Sequence, residues 1–226
     1  GPLSATELFE FGKHLGGNEQ RARNRLTDLF NEDNTAHGAA YLTRPPQQFQ
    51  TIDARYKPLI YDLTKAGIKA LKDVKCFHEV TGVSGGPWWH AREVAKYTAG
   101  VEIETLSDPE RNYIPGWAIF ERAKTTPRYP TTFTDPYTGQ KVTKDLIPDA
   151  FFGIEFIRPD GKFYRFHCLE VDRGTEPKTS SNMARKSHER MMLQYEDYIG
   201  NKQYQKHLGL RAPMTLLLSS TDKKKI

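Results

Sequence analysis

Cysteine is scarce. The 226 residues contain two, Cys76 and Cys168, and neither belongs to a CxxC pair. That argues against a zinc finger and a disulfide framework, and two lone thiols suit a reducing compartment such as the cytoplasm. Long apolar runs are missing too: no stretch approaches the roughly twenty residues that a membrane-spanning helix needs. Metal-binding histidine spacing is absent, since His78 and His90 stand too far apart for a ligand motif. His90, beside Trp88 and Trp89, reads as an ordinary hydrogen-bonded side chain. There is no internal repeat, and low complexity is confined to Lys223-Lys224-Lys225, a tail expected to be solvated. An acidic excess is lacking as well. Thirty-three Lys and Arg face 28 Asp and Glu, a formal charge of +5 with a pI near 9.1. Such a balance is compatible with a polyanionic partner without requiring one. Gly1-Pro2-Leu3-Ser4 looks like a remnant of tag removal and is set aside from the fold.

Core-forming material is plentiful. Twelve Phe, eleven Tyr and three Trp can fill one large domain or two small ones. Residues 5–15 place Leu8, Phe9, Phe11 and Leu15 on one helical face. After Gly16-Gly17, Asn18 is a suitable N-cap for a second helix over 19–30. There Ala22, Leu26, Leu29 and Phe30 form the apolar side, leaving Arg21, Arg23 and Arg25 elsewhere. Strands at 39–43 and 59–63 flank a polar loop over 44–57, and a helix over 64–71 follows. Paired strands behind a basic helix suggest a winged helix, with the three arginines entering the DNA major groove. The plain alternative is a small helical cap whose arginines are solvated.

Beyond a Gly-rich segment at 78–86, the pattern predicts a helix over 87–98 with Pro87 at its start. Strands are expected at 118–122, 146–157 and 162–171, a long helix over 181–199 capped by Ser180 or Ser181, and a strand at 214–219. Arg158-Pro159-Asp160-Gly161 marks a hairpin turn. Met191, Met192, Tyr195, Tyr198 and Ile199 read as core.

This hairpin carries the chemistry. Glu170 and Asp172 lie two apart on a strand and therefore share a face, with Leu169 and Val171 on the other. If Asp149 sits across the ladder, three carboxylates converge and need a cation between them. Mg²⁺ or Mn²⁺ suits oxygen ligands and could activate water against a phosphodiester. The alternative is a set of surface ion pairs with Arg165 or Arg173.

Ile147-Pro148-Asp149-Ala150, followed by Leu169-Glu170-Val171-Asp172-Arg173-Gly174-Thr175-Glu176, resembles the signature of the replication-relaxation family of plasmids, phages and other bacterial mobile elements. The resemblance implies a mixed α/β (α+β) chain: a winged-helix domain over 5–73, then a restriction-endonuclease-like αβββαβ core of the PD-(D/E)XK type over 74–222. It matches Asp149 and Glu170 to the first two acidic positions of that nuclease fold. Asp172 stands where active members carry lysine, so Arg173, Lys186 or Arg190 would have to supply the positive group. Glu93 resembles the extra acid that the first helix of this fold can contribute; a solvated carboxylate near Arg92 and Lys96 is the alternative.

The implied function is a divalent-metal-dependent DNA endonuclease with Asp149, Glu170, Asp172 and Lys186 as catalytic residues. Asp149, Glu170, Asp172 and Glu93 would hold the metal, and Arg21, Arg23, Arg25, Arg173 and Arg190 would contact DNA. Its alternatives are a non-catalytic regulator of replication, transfer or transcription built on a degenerate nuclease fold, or a protein-interaction module. A homodimer is compatible with all three.

Overall fold

The computed structural model describes residues 1–31, 38–50, 57–78, 87–172, 174, 177–179 and 183–220. Its contacts divide the chain into two units. One joins the N-terminal region to Pro87–Pro109, and the other runs from Glu110 onward. The boundary expected after residue 73 put the helix after Pro87 in the second domain; its contacts group it with the first.

The first unit begins with strand β1 (Leu3–Ser4), which runs directly into helix α1 (Ala5–His14). Ser4, set aside on sequence grounds, caps that helix: its hydroxyl accepts from the Glu7 N–H, while the Glu7 carboxylate accepts from the Ser4 N–H. This capping box satisfies two of the orphan donors of the first turn. The Gly16-Gly17 break leads to α2 (Glu19–Phe30), where Asn18 caps by accepting from the Arg21 N–H, as expected. Leu15, expected on the apolar face, lies beyond the helix and is exposed. Strand β2 is only Leu42–Thr43, shorter than the expected 39–43, and a 3₁₀ turn follows at Pro46–Phe49. Strand β3 (Ile60–Leu63) pairs antiparallel with both β1 and β2, giving the order β1-β3-β2. Buried Gln48 extends this small sheet sideways, because its amide accepts from the Ile60 N–H and donates to the Ile60 carbonyl. Helix α3 (Lys65–Asp73) is capped by Thr64.

Helix α4 (Trp88–Leu106) is longer than the expected 87–98. Its Arg92 donates to Glu7 Oε1 at 2.9 Å, and both side chains are largely buried. One carboxylate thus holds the start of α1 with one oxygen and α4 with the other.

The second unit is built on a four-stranded sheet, ordered β4 (Arg111–Pro115), β7 (Ala150–Arg158), β8 (Gly161–Asp172) and β9 (Met214–Ser220). Strand β7 is antiparallel to β4 and β8, and β9 is parallel to β8. Both β8 and β9 match the sequence reading closely. The apolar run at 118–122 is helix, not strand: α5 (Gly116–Ala123) buries the adjacent Ile119 and Phe120 in the core against the sheet. A side chain at Gly116 would collide with the Phe151 carbonyl, so only glycine lets α5 start this close to β7. The expected strand at 146–157 is broken. Its first residue ends β6 (Lys141–Leu146), which pairs with β5 (Tyr129–Thr134) in a separate two-stranded sheet. Pro148, which has no N–H to give a ladder, lies in the break.

The long helix expected from residue 181 begins at His188. Helix α6 (His188–Tyr195) is capped by buried Ser187, whose hydroxyl accepts from the Arg190 N–H. Ser180 and Ser181 lie outside the described residues, as does the segment 79–86. A π-helical turn at Glu196–Gly200 and the short α7 (Gln203–Leu208) complete the layer. Phe151, Phe166, Cys168, Met214, Met191, Tyr195 and Tyr198 form the core between this helical layer and one face of the sheet. Met192, expected in that core, is half exposed.

Breaking the Glu7–Arg92 pair strands a buried charge, which costs about 3–5 kcal/mol. Glu7→Ala should therefore lower the urea unfolding free energy of the first unit by roughly that amount. A Glu7→Ala/Arg92→Met double variant should recover part of the loss. An unchanged midpoint in the single variant would show that the pair contributes nothing.

Candidate functional site

The β7–β8 register decides where the acids meet. The ladder ends at Ala150↔Leu169, so Asp149, one residue ahead of β7, lies beside the stretch of β8 that carries Glu170 and Val171. Asp149 Oδ2 accepts from the Val171 N–H at 2.8 Å, continuing the ladder with a side chain where the β7 backbone has turned away. Glu170 and Asp172 do share a face, as period-two alternation requires. That face is not the open one. Phe166 and Cys168 precede them on it, and the helical layer covers it, so Glu170 is 4% exposed and Asp172 is buried beside it.

Each acid is held by α6 or its surroundings. The Tyr195 hydroxyl donates to Glu170 Oε1 at 2.6 Å. His188 Nε2 lies 2.8 Å from Asp172 Oδ2. The Gly174 N–H donates to Asp172 Oδ1 at 2.9 Å, and the Ser220 hydroxyl to Oδ2 at 3.4 Å. Burial, then the Glu170 charge, pushes the Tyr195 phenol well above its ordinary range, and Asp149 adds to the effect. Tyr195 therefore feels both carboxylates. Burial, then Glu170, likewise raises the thiol of Cys168.

Charge and donor chemistry divide the three acids. Asp149, held by the Val171 N–H, and its neighbour Glu170 are oxygen donors of the kind Mg²⁺ or Mn²⁺ takes. Asp172 is held on both oxygens, Oδ1 by the Gly174 N–H and Oδ2 by its pairing with His188. Among the described residues, no group of three or more His, Cys, Asp or Glu side chains is placed to hold a metal ion.

The remaining expected residues are dispersed. Glu93 lies on α4 in the first unit, 4.0 Å from Lys96. Lys186 is exposed just ahead of α6. Arg190 turns its guanidinium to the loop before that helix, donating to the carbonyls of Ala184 at 2.8 Å and Met183 at 3.3 Å. Arg173 lies outside the described residues. In the first unit, Arg21, Arg23 and Arg25 are all exposed on α2, while Leu26 is buried. Arg23 is tied to Glu19 at 2.8 Å and lies over the Phe9 ring. Arg21 and Arg25, four apart, share one helical face.

His188 escaped the sequence reading. The signal existed, since Ser187-His188-Glu189 is a helix start, but its pairing with Asp172 depends on how α6 crosses the end of β8.

A family model described as replication-relaxation matches residues 6–212. No curated protein and no solved structure matches the chain. No helix among the described residues is long and apolar enough to cross a membrane.

Removing the Tyr195 hydroxyl leaves a buried carboxylate short of a donor. Tyr195→Phe should cost about 1–3 kcal/mol at pH 8 by urea unfolding. The raised phenol holds its proton longer in the folded chain than in the unfolded one. Its stabilising share is thus intact below about pH 10, the ordinary tyrosine pKa, and drains away above it. Wild type should lose stability between pH 8 and pH 10.5 more steeply than Tyr195→Phe. Parallel curves would contradict the assignment.

Proposed function

The chain belongs to the replication-relaxation family, and on that premise we propose that it binds duplex DNA through its first unit in the replication or relaxation of a bacterial plasmid, phage or other mobile element. The observation that carries this reading is α2. It offers Arg21 and Arg25 to solvent on one face, directly ahead of the antiparallel β2–β3 pair, the element order of a winged helix. An exposed basic helix of this kind positions itself on phosphates through counterion release.

The second unit is read as a nuclease-like scaffold that does not cut. Its strand order, with β7 alone running against the other three, suits a restriction-endonuclease-like core. The acid that stands in the lysine position supports the loss of cleavage: Asp172 brings a negative charge where the attacking water needs a positive one, and its oxygens are taken up by His188 and the Gly174 N–H.

A second reading, metal-dependent hydrolysis of DNA, is favoured by Asp149, which bonds the Val171 N–H directly beside Glu170 at the end of the β7–β8 ladder. Those two residues would hold Mg²⁺ or Mn²⁺, and the cation would supply a water of lowered pKa and stabilise charge on the phosphodiester. The chain's own part would be orientation: Val171 N–H fixes Asp149, and Tyr195 fixes Glu170.

Two experiments test the readings. Arg21→Ala/Arg25→Ala should weaken duplex binding at low salt and reduce the slope of log K against log salt by about 1.8, roughly 0.9 per lost phosphate contact. Salt-independent binding by wild type would remove DNA as the partner. With Mg²⁺ or Mn²⁺, supercoiled plasmid should stay intact with wild type. Nicking that disappears in both Asp149→Ala and Glu170→Ala would establish the hydrolytic reading instead.

A further inference from the structure

The sheet face turned away from the helical layer changes character along its length. Near the acids it is sealed, with Phe152 1% exposed and Leu169 fully buried. Toward the β7–β8 turn it opens. There Phe156 pairs with Phe163 across the ladder, Ile154 with Arg165, and Arg158 closes the turn against Gly161. On the neighbouring strand Arg111 pairs with Phe156 and lays its guanidinium 5.9 Å from that ring. Phe163 is 46% exposed, and Arg111, Arg158 and Arg165 are all exposed around the phenylalanine pair.

The same end has an open rim. Strand β9 begins at Met214, opposite Phe166, so residues 161–165 of β8 have no strand on that side among the described residues. A cleft of about 530 Å³ occupies this rim, lined by Phe156, Arg158, Phe163, Arg165 and Pro213. Asp160 is the one acid lining it, against two arginines.

We infer that this aromatic and arginine-rich end of the sheet is a stacking platform for single-stranded DNA. The chemistry is specific to an unpaired strand. An exposed phenylalanine face gains by stacking on a base only when the base is free of its duplex partner, and any base will serve. Arginines on either side meet the phosphates that flank it, and their planar guanidinium groups can stack as well. Residues two apart on a strand stand about 7 Å from one another, so Phe163 and Arg165 address a base and a neighbouring phosphate from one face. A protein partner would more naturally meet a rim of mixed charge, whereas two arginines against a single carboxylate in the cleft favour a polyanion. The inference goes beyond duplex binding by α2 and rests on different residues in the other unit.

The test is fluorescence anisotropy on the full chain, with a labelled oligothymidine of about 20 nucleotides beside a duplex of similar length. Phe163→Ala should weaken the single-strand complex about tenfold, within the range measured for losing one stacked base, and leave the duplex complex unchanged. Phe163→Trp should preserve or tighten it, which separates stacking from misfolding. Arg158→Ala/Arg165→Ala should lower the salt slope for the single strand by about 1.4, roughly 0.7 per phosphate. Arg21→Ala/Arg25→Ala should impair the duplex complex alone, so failure of the α2 reading and failure of this one give different results. Absence of single-strand binding by wild type at low salt overturns the inference. So does unchanged affinity in Phe163→Ala, or parallel loss of both complexes in the Phe163 and arginine variants.

Discussion

The strict alternation of the β7–β8 hairpin is the constraint on which the rest of the second unit depends. Nine consecutive residue pairs, from Ala150↔Leu169 to Arg158↔Gly161, leave no freedom in which side chains go where. One face collects Phe151, Phe166 and Cys168 and ends in Glu170 and Asp172. The other runs from Leu169 and Phe152 out to Phe156, Phe163 and Arg165. A one-residue slip would exchange the two sets and bury arginines in the core, so the register is strongly specified.

That alternation also explains why the acids are structural neighbours of the core. Glu170 follows Cys168 on the covered face and must find a donor there, because an unpaired buried carboxylate is costly. Tyr195 provides it from α6, and His188, about two turns earlier in the same helix, pairs with Asp172. The two bonds fasten α6 across the end of β8, while the Glu7 carboxylate, in the first unit, fastens α4 to the start of α1. In each unit a buried acid sets the placement of a helix.

Much of this was legible in the residues. The Arg158–Gly161 turn, the strands on either side of it, the apolar stripe of α2 and the Asn18 cap all follow from local pattern. The burial of the acids did not. Alternation shows that Glu170 and Asp172 share a face, but which face α6 covers is a tertiary fact. The run around Ile119 and Phe120 is ambiguous in sequence, because a short apolar segment fits the strand period as well as the helical one. The β5–β6 pair carries a weak sequence signal, because its strands are polar and Thr-containing and form a sheet of their own. Leu3 and Ser4 look like a tag remnant in sequence, yet Ser4 both donates to and accepts from Glu7.

The central claim is that DNA meets α2 while the acids at the end of β8 serve the fold. Hydrogen–deuterium exchange with and without a saturating duplex addresses it directly. The account predicts added protection across residues 19–30 and no change at 168–172. Protection at 168–172 with α2 unaffected would contradict it.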